Sequence, residues 1–151
     1  MSDVEIVERQ LGRRPRAFRA VAVRCPFGKP AVTEQAPFDE AGRPFPTQYY
    51  VTCPALVAAI SRLEAAGGVE RWTTAARDDE LLAASLARAN AEQRELRPEV
   101  PAGIGGSTRG GSLKCLHAHA AFALARPGYE LGDAILAELP SLFPSSCCTP
   151  G

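Results

Sequence analysis

Between Thr52 and Pro54 the periodicity of the chain changes, and that switch limits the fold more than any other feature of its 151 residues. Before it, F-R-A-V-A-V-R-C (18–25) alternates apolar and polar positions, while P-A-V-T-E-Q (30–35) and T-Q-Y-Y-V-T-C (47–53) have the look of further strands, the last rich in β-branched and aromatic residues. Two hairpin connections join the three. After the switch, Pro54 suits a first helical turn, and Leu56, Ile60 and Leu63 form one apolar stripe that stops at Gly67-Gly68. A helical stretch around 69–75 follows, and then a longer helix that opens on Asp78, Asp79 and Glu80 and stops before Pro98. The alanine-rich run 113–125 reads as a buried helix, Pro127-Gly128 breaks it, and 131–139 adds a last amphipathic segment. Ser2 caps a short helix over 4–11. The expected fold is α+β: a small antiparallel sheet of about three strands packed against four to five helices. It forms a single domain over 1–144, followed by a disordered tail at 145–151.

The size suits one domain with a proper core. No run of eighteen apolar residues is present for a membrane span, and the N-terminus lacks the pattern of an export signal, so a cytoplasmic setting is expected. Seventeen basic residues balance seventeen acidic ones, which leaves no overall field to draw the chain onto nucleic acid. Arg13, Arg14, Arg16, Arg19 and Arg24 cluster near the start, but interleaved with Phe18, Val21 and Val23 they read as the solvent face of a half-buried strand. Tyr49 and Tyr50 are adjacent strand positions, with one ring expected in the core and one outside; Trp72 reads as core, and Arg62 and Glu64 as solvated or paired.

Five cysteines without an export signal are better read as ligands or reactive thiols than as disulfides. Cys147 and Cys148 fall in the tail. Cys25 ends the first strand, Cys53 ends the third, both before proline, and Cys115 opens the helix that carries both histidines. Four apart on a helix, Cys115 and His119 share a face, whereas His117 points elsewhere. Cys25, Cys53, Cys115 and His119 thus form a candidate metal set, suited to zinc or equally to an iron–sulfur cluster. The segment before that helix contains five glycines, and a loop without side-chain bulk at a helix N-terminus can receive a small anion. Its candidate residues are Gly105, Gly106, Arg109, Gly110, Gly111 and Lys114. Neither the P-loop nor the dinucleotide pattern is met. The leading expectation is a metal-binding protein with an anion-binding loop beside the site. The alternative is an enzyme using Cys115, or a metal-activated water, with His117 or His119 as base.

R-C-P-F-G-K-P-A-V, P-F-P-T-Q-Y-Y-V-T-C-P-A-L, I-S-R-L-E and G-I-G-G-S-T-R-G-G-S-L-K-C-L-H-A-H together resemble the bacterial domain of unknown function 501 family, over nearly the whole chain before the tail. Gln48 and Ser112 stand in these blocks as ordinary variation. The resemblance implies a bacterial cytoplasmic protein of the kind found in actinobacteria, in which the blocks holding Cys25, Cys53 and Cys115 recur as units. It implies no activity.

Overall fold

The computed structural model describes residues 1–108 and 113–143. Helix α1 (Asp3–Leu11) is fixed by a reciprocal cap: Ser2 Oγ accepts from the Glu5 amide, Glu5 Oε2 accepts from the Ser2 amide, and Gly12 closes the far end. Only Val7 of this helix is buried. It is tied to the sheet by the Gln10 side-chain amide, which donates to the Pro30 carbonyl (2.9 Å), and by an Asp3–Arg24 ion pair (2.7 Å).

Strands β1 (Phe18–Arg24), β2 (Pro30–Gln35) and β3 (Tyr49–Val51) form one antiparallel sheet in the order β1-β2-β3. The central strand is buried from Pro30 to Thr33, whereas β1 keeps its arginines in solvent. Arg14, Arg19 and Arg24 from the basic run pair with Glu40, Glu34 and Asp3, the pairing expected of a solvated face.

Six α-helices follow or precede the sheet among the described residues, one more than the upper expectation. The break expected at Gly67-Gly68 is present, and the stretch around 69–75 is a full helix of its own. Gly67, at φ +85°, ends α2 (Pro54–Ala65) and starts α3 (Gly68–Asp78) in a conformation that side chains rarely adopt. Asp79 then caps α4 (Glu80–Leu96), its carboxylate accepting from the Leu82 amide (3.0 Å). After a 3-10 turn at Ile104–Gly106 come α5 (Leu116–Ala125) and α6 (Glu130–Ala137).

Helix α5 is the centre of the molecule. It touches β3, α2 and α6, and seven of its ten residues are buried. Alanine at 118, 120, 121 and 123 lets these neighbours come close. The tightest approach is at Gly132 of α6, where a Cβ would lie 2.6 Å from Ala123 Cβ and 2.9 Å from the His119 carbonyl oxygen. Gly132→Ala is therefore expected to force α6 off α5 and lower stability by about 1–3 kcal/mol, read as a fall in the thermal unfolding midpoint.

Buried polar residues along and just beyond helix α4 hold two connections, the turn at Ile104 and the β2–β3 segment. Asn90 Oδ1 accepts from the Ile104 amide (2.9 Å) and fixes the 3-10 turn, while Gln93 Nε2 donates to Gln48 Oε1 (3.0 Å) ahead of β3. Just past the helix end, Arg97 is 2% exposed. Its guanidinium donates to the carbonyls of Gln35, Ala36 (3.2 Å) and Phe45 (2.9 Å), closing the long β2–β3 connection.

Candidate active-site cleft

A cleft of about 570 Å³ opens where β3, the first turns of α2 and the start of α5 meet, with the end of α1 across one side. Tyr49, Tyr50, Val51 and Thr52 supply one wall, Pro54, Val57 and Ala58 a second, and Cys115, His117 and Ala118 a third; Gln10, Leu11, Thr47 and Gly105 complete it. The lining is mostly apolar with a few polar groups, the usual make-up of a small-molecule site.

Two of those polar groups lack partners. Thr52 is 1% exposed, and its Oγ1 meets no hydrogen-bonding group; Gln10 uses its Nε2 on Pro30 and leaves Oε1 buried and unmatched. A buried acceptor without a donor costs about 1–3 kcal/mol, and both oxygens lie beneath the cleft surface, out of reach of solvent.

At the opposite wall His117 is held from both sides. Its Nδ1 lies 3.1 Å from Glu64 Oε2, and its Nε2 lies 3.2 Å from Ser61 Oγ. The same Glu64 oxygen accepts from the Leu116 amide (2.7 Å), the first residue of α5. One α2 carboxylate thereby caps α5 and orients the imidazole.

Cys115 faces the same cleft, and here the structure departs from the helical-face expectation. With φ −155° and ψ 155°, Cys115 is extended backbone preceding the helix, so the four-residue spacing to His119 does not put the two on one face. It is His117 that shares the cleft with Cys115. Burial pushes the Cys115 thiol above its ordinary pKa, against the pull of the Ala118 amide, and the charge of Glu64 adds to the rise. Tyr50 is raised likewise by burial, with Arg13 opposing.

His119 turns inward. Its Nδ1 is 2.7 Å from the Tyr129 hydroxyl, and burial lowers its pKa to about 4. Cys25 follows β1 and Cys53 precedes α2, and both are buried. Among the described residues no three His, Cys, Asp or Glu side chains are grouped to hold a metal ion. Of the anion-loop candidates, Gly105 borders the cleft, Gly106 packs on Pro46 and Lys114 donates to the Gly106 carbonyl (3.2 Å). Arg109, Gly110 and Gly111 lie outside the described residues, as does the tail with Cys147 and Cys148.

The model of the family described as "Protein of unknown function (DUF501)" matches residues 21–102, over half of the chain. The chain belongs to this family. The matched stretch carries β2, β3 and α2, hence Tyr50, Thr52, Ser61 and Glu64, and stops short of Cys115 and His117. No curated protein and no solved structure matches the chain. No helix among the described residues is long and apolar enough to cross a membrane.

Sequence reasoning missed Ser61, Gln10 and Thr52, and read Glu64 as solvated or paired without naming His117 as its partner. Ser61 and Glu64 are three apart on α2 and so share a face, but nothing in the local pattern announces an imidazole more than fifty positions later.

Proposed function

We propose that the cleft binds a small organic molecule, apolar over most of its surface and carrying at least one hydrogen-bond donor, and that His117 exchanges a proton with it. The observation that carries this reading is the imidazole of His117 in the cleft wall, with Nδ1 on Glu64. A carboxylate only accepts, so it keeps the proton on Nδ1 and leaves the Nε2 lone pair as a base. A bacterial cytoplasm, being reducing, would keep Cys115 as a thiol in the wall.

A fragment library screened by NMR tests the reading. Ligands are expected to shift the resonances of Tyr50, Thr52 and His117 together. Ala58→Trp, at the exposed rim, should weaken them tenfold or more while the unfolding midpoint holds. Fragments that bind elsewhere, or equally well to Ala58→Trp, would contradict it. Zinc or iron–sulfur binding by Cys25, Cys53, Cys115 and His119, and anion binding by the loop from Gly105 to Lys114, rest on residue types alone. Elemental analysis and the visible spectrum of the purified protein decide the first, and phosphate titration the second.

A further inference from the structure

We propose that Ser61 is a nucleophile, with His117 as its general base and Glu64 as the positioning residue, and that the cleft hydrolyses esters with an apolar acyl group. The inference rests on the small-molecule reading of the cleft and names its reaction. Ser61 Oγ is 3.2 Å from His117 Nε2, and Glu64 Oε2 is 3.1 Å from Nδ1, an unbroken path from hydroxyl to base to carboxylate. The Glu64 oxygen is fixed in turn by the Leu116 amide at 2.7 Å. These are the nucleophile–base and base–orienter contacts that hydrolytic serines require, recognised by geometry rather than by sequence order.

Placement agrees with the role. Ser61 is exposed and stands one helical turn beyond Val57 and Ala58; those two residues line the cleft, as does His117, to which Ser61 is joined. Cys115 is the competing nucleophile. The two nitrogens of His117 are given to Glu64 and Ser61, however, and among the described residues no base contact supports the sulfur.

In the reaction, Ser61 Oγ bonds to the ester carbonyl carbon as its proton passes to Nε2. The C–O bond to the alcohol breaks, and the departing alkoxide takes that proton. Water then attacks the acyl-serine, giving its proton to Nε2, and Ser61 leaves reprotonated with release of the carboxylic acid. Nothing beyond ester and water is consumed.

An alkyl fluorophosphonate tests the assignment, since it phosphonylates an activated serine with loss of fluoride. Mass spectrometry of the treated full chain is expected to place one adduct on Ser61. Ser61→Ala should abolish it with an unchanged unfolding midpoint, and His117→Gln should slow labelling at least a hundredfold. Glu64→Gln should slow it and displace its pH profile, which a merely structural role would not do. An unlabelled wild-type chain, an adduct on another residue, or His117→Gln labelled at the wild-type rate would each overturn the proposal. Fragment binding that persists without labelling condemns the nucleophile alone, whereas loss of fragment binding condemns the cleft.

Discussion

Arg97→Ala is expected to destabilise the protein by about 3–5 kcal/mol, the largest loss from any single truncation considered. Removing the guanidinium takes the donor from three carbonyls, that of buried Gln35 and those of half-buried Ala36 and Phe45. Burial already lowers the Arg97 pKa, and the nearby charge of Glu34 offsets part of that cost. The charge is tolerated in part because three of the five guanidinium N–H groups end on carbonyl oxygens. Arg97→Lys should recover only part of the loss, since an ammonium cannot reach three acceptors spread across a planar group. Urea unfolding monitored by Trp72 fluorescence measures both. A value for Arg97→Ala within 1 kcal/mol of wild type would show that the β2–β3 connection is held by other means.

The second large effect is a loss of stability in mild acid traced to His119. Folded, this imidazole has a pKa of about 4 because burial penalises the cation; unfolded, it returns to its ordinary 6.5. Between those values the unfolded chain binds a proton that the folded chain refuses. Stability is thus full above about pH 6.5, falls as pH drops toward 4, and gains no further penalty from this group below that. At about 1.4 kcal/mol for each pH unit the total is about 3.5 kcal/mol. Paired carboxylates such as Asp3, Asp39, Glu130 and Glu138, all held below their usual pKa by arginine or amide partners, add their losses at lower pH. Comparison with His119→Gln isolates the histidine: the variant's stability should be nearly flat from pH 7 to 5 while wild type declines. Parallel curves would mean that the Tyr129 contact holds a protonated imidazole.

Periodicity made the architecture readable. Alternation up to Val51, the 3.6-residue stripe from Leu56, and capping at Ser2 each report a local preference that tertiary packing left intact. The site was readable only where chemistry was local. Cys115 and His117 stood out by type, and both line the cleft, but the assumption that Cys115 already belongs to the helix misassigned its face. Extended backbone at one residue rotates a side chain out of a pattern that only regular helix obeys. Glu64, Ser61, Thr52 and Gln10 were invisible because their significance arises between segments. Gln48 and Gln93 were hidden for the same reason: a buried polar pair looks in sequence like two surface residues until the fold brings them to 3.0 Å.

The double use of Glu64 Oε2 links chemistry to architecture at one atom. Swapping this carboxylate for an amide would loosen the orientation of the His117 ring and, in the same stroke, weaken the anchorage of α5's opening residue. Reactivity and scaffold are therefore not separately adjustable here. An engineer wishing to retune the imidazole would need first to install a substitute donor or acceptor for the Leu116 amide, or accept a loosened core as the accompaniment to every change in rate.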